Sequence, residues 1–311
     1  MNMVMKKRPD AATRKKKKYT KKNFYEFLCV VPALVMIGVI AYYPIADLFR
    51  ISFTNWNLIR PQYDYVGFTN WKWLVDTWEM NHVYESFVVT LKYTVGHMII
   101  ILTVGLALAL LFNKMTKGFA FMRAVVFLPH YVAMSTAALI FMVILNERYG
   151  IANAVLESLA GIRVNWLMDG SLALLMMILI ASWRAIGYDM LIYLGGMQGI
   201  SQDYYEAAML DGANQTQIFL KITLPLLAPT TLFLAVTQFI SSMKVYALAD
   251  VLTAGGPYRA TEVIVYLIYT MAFEDYRVDR AAVVAICFFA FLLIITRLTM
   301  NVSDRKVNYD A

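Results

Sequence analysis

The chain has 311 residues, of which 60% are hydrophobic and 16% are charged, and its formal net charge is +7. With a mean hydropathy of +0.58, the chain is too apolar for an ordinary soluble domain, and most of it is expected in a lipid bilayer. Its two cysteines, Cys29 and Cys287, lie in separate apolar runs, so the sequence supports neither a disulfide framework nor a metal cluster.

Much of the positive charge lies at the N-terminus, where residues 1–23 are dominated by lysine and arginine. Such a run predicts a solvated tail that stays in the cytoplasm and contacts anionic lipid headgroups. The apolar run that follows is too long for a signal peptide and has no small-residue cleavage site, so it is predicted to be a retained span. Nucleic acid is not expected as a partner, because no fold follows that would position the tail on a duplex.

Six apolar runs approach the length that a helix needs to cross a bilayer. They are predicted at residues 27–49, 88–112, 124–145, 172–194, 226–243 and 281–300. The expected fold class is therefore an all-α membrane protein, with a transmembrane domain over residues 24–300 and a C-terminal tail over residues 301–311. Because four spans separate the basic tail from residues 202–225, both are expected in the cytoplasm, as is the C-terminus after six spans.

The stretch between the fourth and fifth runs predicts a compact element rather than a connector. Asp203 is a candidate N-cap with Glu206 three residues later, as in a capping box. Gly212 is expected to end this helix in a left-handed conformation, and Pro225 suits the start of another helix. The prediction is a short helix, a sharp turn and a second short helix over residues 202–225, lying on the membrane surface.

This stretch resembles, position by position, the cytoplasmic motif of bacterial ABC import permeases. The matching residues are Glu206, Ala207, Ala208, Asp211, Gly212, Ala213, Phe219, Leu224 and Pro225. In that family the loop docks into a groove on the ATP-hydrolysing subunit, so the resemblance implies that these residues couple ATP hydrolysis to transport. The alternative is an ordinary amphipathic linker between two spans.

Three outer segments resemble the sugar-type permeases of the same superfamily. They are Ser52 to Trp56, Val66 to Trp71, and Leu252 to Pro257. In the last of them, Gly255, Gly256 and Pro257 are the expected contact with an external solute-binding protein, and a simple turn is the alternative. At Asp279 to Val283 the chain departs from the family, which usually has a glycine, an aromatic residue and Ala-Ser-Ala there.

Polar residues inside the predicted spans are candidates for a solute path, because burying them in hydrocarbon is costly. The candidates are Trp183, Arg184, Tyr188, Thr237, Gln238, Ser241 and Ser242. Aromatic rings stack on sugars, while amide, hydroxyl and guanidinium groups bind sugar hydroxyls. The alternative is that these residues hold neighbouring helices together. Asp189 follows Arg184 by five residues and faces another direction on a helix, so the charge of Arg184 is expected to be compensated from elsewhere.

The sequence contains no Gly-x-x-x-x-Gly-Lys-Ser/Thr phosphate loop, so this chain is not expected to be an enzyme, and ATP with Mg is assigned to partner subunits. Its three histidines, His82, His97 and His130, fall in different segments, so no metal site is expected.

The resemblance implies the permease subunit of a carbohydrate-type ABC importer in the plasma (inner) membrane. Such a subunit would work with a second, similar permease, two ABC ATPase subunits and an extracellular solute-binding protein. A non-sugar solute, such as a phosphorylated polyol or a peptide, is one alternative, and a non-transporting membrane sensor is another.

Overall fold

The computed structural model describes residues 21–77, 80–113 and 117–306. Most of the basic tail predicted at residues 1–23 lies outside the described residues, as does the end of the predicted C-terminal tail. In the described part of the chain the fold is helical, with one isolated antiparallel bridge between Thr54 and Tyr65. The predicted all-α class is thus confirmed.

Fourteen α-helices can be numbered along the described residues, and irregular turns join several of them. The helices are α1 Lys21–Ile37, α2 Tyr43–Ser52, α3 Thr69–Asp76, α4 Val83–Leu111, α5 Lys117–Phe127, α6 Met134–Ile144, α7 Ile151–Ala160, α8 Gly170–Gln198, α9 Gln202–Leu210, α10 Gln215–Ile218, α11 Leu224–Leu226, α12 Ala228–Met243, α13 Ile264–Tyr269 and α14 Val278–Lys306. Wider helical turns occur at Gly38–Tyr42, Phe219–Thr223, Ala249–Thr253 and Thr270–Glu274, and a tighter one occurs at Leu128–Tyr131.

The chain divides into two compact units, Met1–Arg50 and Ile51–Ala311. In the described part of the first unit, α1 continues through the wider turn Gly38–Tyr42 into α2. The apolar stretch Glu26–Ser52 is long enough to cross a bilayer.

In the second unit, three helices are long and apolar enough to span a bilayer, namely α4, α8 and the apolar part of α14. Two bent pairs meet the same test, α5 with α6 and the α10–α11 segment with α12. The described residues therefore contain four unbroken spans, or six if each bent pair counts as one span.

The span predicted at residues 124–145 is not one continuous helix. Helix α5 ends at Phe127, the short turn Leu128–Tyr131 follows, and α6 leaves at 97° to the preceding segment. Pro129 lies in this turn, where its ring and its missing N–H group prevent a continuous α-helix. Just after the break, the backbone carbonyl oxygen of Val132 accepts a hydrogen bond from a side chain of α8.

Helices α4 and α8 pack most extensively against each other and form the centre of the second unit. Small residues make this possible: a Cβ atom on Gly105 of α4 would lie 3.1 Å from the Cβ of Asp189 on α8. On another face of α8, a Cβ on Gly187 would collide with the backbone of Val126 in α5. Substitution of either glycine is therefore expected to separate the helices that surround the site described next.

A short folded segment precedes α4 on the chain. The buried side chain of Asn70 in α3 donates hydrogen bonds from Nδ2 to the carbonyl oxygens of Ser52 and Thr54, at 3.0 and 2.7 Å. These two bonds join α3 to the end of α2.

Candidate functional site

A cavity of about 530 Å³ lies among α4, α6, α8 and α12, and we call it the central cavity. Its lining is mostly polar or aromatic although the surrounding helices are apolar. The lining residues with functional side chains are Tyr93, His97, His130, Arg184, Tyr188, Thr237, Gln238, Ser241, Ser242, Lys244 and Tyr246. Polar groups in the middle of an apolar bundle are typical of a solute or ion pathway.

Arg184 lies near the middle of α8 and reaches the break between α5 and α6. Its Nε donates a hydrogen bond of 2.7 Å to the carbonyl oxygen of Val132. The helix break therefore supplies a hydrogen-bond acceptor for Arg184. The sequence predicted that a partner for Arg184 would come from outside α8, and Val132 lies outside α8. A carbonyl oxygen satisfies one N–H group but does not neutralise the guanidinium charge.

The polar face of α12 contributes a stripe to the cavity wall. All four residues of the stripe line the cavity; Gln238 and Ser242 are buried, whereas Thr237 and Ser241 are exposed. The hydroxyl oxygen of Ser242 lies 2.9 Å from Nδ1 of His97 on α4, and the hydroxyl of Thr237 bonds to its own helix. The four polar residues of α12 thus share the face of the helix that lines the cavity, as their helical spacing predicted.

Gln238 also links two helices behind the cavity wall. Its Nε2 donates a 2.5 Å hydrogen bond to Oδ1 of Asp189, which is fully buried in α8. The other oxygen, Oδ2, has no hydrogen-bond partner among the described residues. Gln238 therefore has a structural contact in addition to its place on the cavity wall.

Aromatic rings form two stacked sets at the cavity. The His130 ring stacks between Phe127 and Tyr188, with centroid distances of 5.3 and 5.2 Å. The Tyr93 ring stacks on His97 with planes 5° apart. The His97 ring, whose Nδ1 lies beside the Ser242 hydroxyl, therefore forms part of the cavity wall together with Tyr93.

The cavity lining carries positive charge. Arg184 and Lys244 line it, and neither forms an ion pair with a described residue. The described lining contains no aspartate or glutamate.

Of the seven residues predicted for a solute path, the structure brings six to the central cavity. Trp183 is the exception, since it is 42% exposed and its ring packs edge-on against Phe141. The residue next to Arg184 points about 100° away around the helix, which explains this separation.

Sequence reasoning missed Tyr93, His97, His130, Lys244 and Tyr246. Two histidines that were judged scattered in fact line the same cavity. Tyr93 and His97 are four residues apart within an apolar run, a spacing that indicates one helix face and was the available signal.

The second candidate site is the stretch predicted to be a coupling element, residues 202–225. Helix α9 starts from Ser201, whose hydroxyl accepts a hydrogen bond from the backbone N–H of Asp203. The capping box predicted at Asp203 and Glu206 is therefore wrong. The capping box lies instead at Asn214 and Gln217, which exchange two 2.9 Å bonds at the start of α10.

The turn between α9 and α10 is closed by Gly212, whose φ of 78° confirms the predicted left-handed conformation. The N–H of Gly212 donates to the carbonyl of Met209, and the N–H of Ala213 donates to that of Ala208. These paired bonds are a Schellman motif, which satisfies carbonyls at the end of α9. The turn is thus defined by backbone bonds that depend on a positive φ.

Exposed apolar side chains surround Glu206 on this element. Leu210 is 89% exposed and Met209 is 53% exposed, and Glu206, Asp211 and Gly212 are exposed as well. By contrast, Ile218 and Thr223 are buried and anchor the segment. Met209 and Leu210 therefore form a small exposed apolar patch next to Glu206.

In the loop after α12, Gly255 packs inside the fold rather than on its surface. Gly255 has a φ of 75° and is buried, and a Cβ there would lie 2.7 Å from the ring of Tyr266. The exposed residues of the loop are Ala254, Tyr258 and Arg259. Arg259 pairs at 2.9 Å with Glu262, and burial raises the pKa of Glu262 while Arg259 opposes this shift.

Within the described residues, no group of three or more histidine, cysteine, aspartate or glutamate side chains is placed to hold a metal ion.

Apolar spans, two of them bent, around a polar cavity define a multi-pass membrane protein with an internal polar compartment. Residues 101–309 match the family described as the binding-protein-dependent transport system inner membrane component, and the chain belongs to this family. The resemblance stated from the sequence is thereby confirmed.

Curated relatives agree with this assignment over nearly the whole chain. The chain is 27% identical over 288 residues to the sn-glycerol-3-phosphate transport system permease protein UgpA of Agrobacterium fabrum, covering 91% of this chain and 96% of the relative. It is 31% identical over 271 residues to the trehalose/maltose transport system permease protein MalF of Thermococcus litoralis, covering 87% and 90%.

A solved structure shares the fold. A chain of a bacterial ABC transporter involved in the import of the acidic polysaccharide alginate superposes with a TM-score of 0.82 at 23% identity, over 93% of this chain and 98% of that chain.

Proposed function

We propose that this chain is the translocation subunit of an ATP-driven importer that carries a sugar or an oligosaccharide across the plasma membrane. The observation that carries the proposal is the central cavity, which places hydrogen-bonding and aromatic side chains from α4, α8 and α12 inside an apolar bundle. Of the seven candidate path residues, six are proposed to contact the solute. The seventh, Trp183, packs on α6 instead.

A sugar is the solute class that fits this lining best, because aromatic rings stack on sugar faces and polar groups bind hydroxyls. Relatives named for trehalose/maltose and for alginate support this choice. A phosphorylated polyol is the second candidate, and the relative named for sn-glycerol-3-phosphate favours it.

The proposed site of coupling is the surface of α9 to α11, from Glu206 to Pro225. One of the two ATPase subunits, which bind ATP and Mg, would dock there against Glu206 and the exposed Leu210. Closure of the ATPases would move this element and rock the spans between inward-open and outward-open states. The backbone-closed turn at Gly212 supports the proposal because a force-transmitting contact needs a rigid element.

The remaining partners are a second permease of the same kind and an external solute-binding protein. The proposed orientation has both termini and residues 202–225 in the cytoplasm and the loop after α12 outside. Because Gly255 is buried, Tyr258 and Arg259 are proposed to lead the contact with the binding protein, with Gly256 and Pro257 shaping the turn beneath them.

Uptake by cells tests the proposal. A strain in which the gene is deleted should lose accumulation of a labelled sugar that the wild-type strain takes up, and a plasmid copy should restore it. If the deletion strain keeps full uptake of every solute tested but loses a transcriptional response to one of them, the chain is a sensor and the proposal fails.

A further inference from the structure

A guanidinium group can bind sugar hydroxyls, but a neutral sugar does not neutralise the positive charge of the central cavity. Arg184 lies near the middle of a membrane-spanning helix, where a charged side chain is costly and usually faces a cavity or a partner. One of its five N–H groups is used on the Val132 carbonyl oxygen. The other four are available to a group in the cavity that its side chain lines.

A second cation lies at the same cavity. Lys244 follows the last residue of α12, and its side chain is exposed. Two carboxylates lie close to the cavity without being part of its described lining: Asp189 accepts the Gln238 hydrogen bond, and Asp250 interacts with Tyr246. The described lining therefore presents two positive groups, the half-buried Arg184 and the exposed Lys244, and it contains no carboxylate.

We propose that the transported solute carries an oxyanion, either a carboxylate or a phosphate, on a sugar or polyol. The forked guanidinium of Arg184 binds the oxyanion, and the exposed Lys244 attracts it toward the cavity. The stacked rings of His130 and Tyr188 offer a flat surface for the rest of the solute. This inference rests on the proposed function, because it requires that the cavity hold a transported solute.

The relatives do not decide this question. Trehalose and maltose are neutral, whereas alginate and sn-glycerol-3-phosphate carry acid groups. The inference therefore depends on the residues of this cavity alone.

The test uses cells that express the complete importer and a defined solute mixture. The mixture contains neutral maltose and cellobiose, the uronic acid dimer digalacturonate, and sn-glycerol 3-phosphate, and depletion of each is followed by mass spectrometry. A strain with the gene deleted gives the background. The variants are Arg184→Gln, Arg184→Lys and Lys244→Gln, with Lys72→Gln as the control, since Lys72 is an exposed lysine of α3 away from the cavity.

We expect the wild-type importer to deplete digalacturonate or sn-glycerol 3-phosphate. Depletion of digalacturonate would identify the oxyanion as a carboxylate, and depletion of sn-glycerol 3-phosphate would identify it as a phosphate. Arg184→Gln should lower that uptake by about tenfold or more at solute concentrations well below saturation, where the rate follows the affinity of the cavity for the solute. Arg184→Lys should retain part of it, Lys244→Gln should lower it less, and Lys72→Gln should leave it unchanged. Since Arg184→Gln could also impair folding, the amount of assembled complex is measured for every variant and uptake is normalised to it.

Uptake of maltose or cellobiose by the wild type, unchanged per complex in Arg184→Gln and Lys244→Gln, would overturn the inference and leave the proposed function standing. Depletion of no solute above the background would count against the proposed function itself, and the inference would fall with it.

Discussion

Replacement of Gln238 by leucine is expected to lower the stability of the helix bundle, apart from any effect on solute binding. Gln238 is only 9% exposed, and its Nε2 provides the hydrogen bond that Oδ1 of the fully buried Asp189 receives. Because Oδ2 already lacks a described partner, Gln238→Leu leaves both carboxyl oxygens without a donor among the described residues. An unsatisfied buried acceptor costs about 1–3 kcal/mol.

A loss of about 2 kcal/mol corresponds to a roughly thirtyfold lower ratio of folded to unfolded chain, and to a fall of about 4–8 °C in thermal midpoint. The assay is a thermal melt of the purified complex, followed by retention of the assembled species. Thr237→Val is the matched control on the same helix, because the Thr237 hydroxyl bonds only within α12, and its midpoint should change little.

A second variant separates the effect of the lost hydrogen bond on stability from the effect of the altered side-chain shape. Asp189→Leu combined with Gln238→Leu removes both partners, so its midpoint should be higher than that of Gln238→Leu alone. The reasoning is refuted if Gln238→Leu melts like the wild type, or if the double variant melts lower than either single variant. In either case the pair would not stabilise the contact between α8 and α12.

Three other changes follow from the structure. Gly212→Val should destabilise the turn by more than about 1–2 kcal/mol, because residue 212 has a φ of 78°, and it should abolish stimulation of ATP hydrolysis in the purified complex. Gly212→Asn should be tolerated better. Equal stimulation in both variants and the wild type would contradict this. Two cysteine variants, made in a chain without native cysteines, test the orientation with an impermeant thiol reagent. Asn214→Cys should react only from the cytoplasm, and Tyr258→Cys, at a fully exposed position, should react only from outside. Labelling of position 214 from outside would refute the proposed orientation. Asn70→Ala should lower stability by about 2–3 kcal/mol, because two backbone carbonyls lose their donor, and an unchanged melting midpoint would show that those bonds contribute nothing.

Patterns that are local in sequence were predicted well. The left-handed turn at Gly212 depends on one residue type, and the stripe of α12 depends on helical spacing, so both could be inferred from short stretches. The cap of α9 was misplaced because Ser201 and Asp203 are both good caps, and only the backbone conformation decides between them.

Contacts between distant residues could not be predicted in the same way. His97 meets Ser242 across 145 positions of sequence, and Arg184 meets a carbonyl oxygen that is free only because the helix breaks near Pro129. Pro129 was visible in the sequence, but a single proline inside an apolar run also occurs in kinked spans, so the bend of 97° required the tertiary structure.

The measurement that tests the central proposal most directly is uptake into proteoliposomes that contain the complete complex. ATP is sealed inside, and the binding protein and the labelled solute mixture are supplied outside. Accumulation is expected to require both internal ATP and external binding protein, and to be lost in Gly212→Val while the complex remains assembled. Accumulation that persists without ATP, or that Gly212→Val leaves unchanged, would contradict the central proposal.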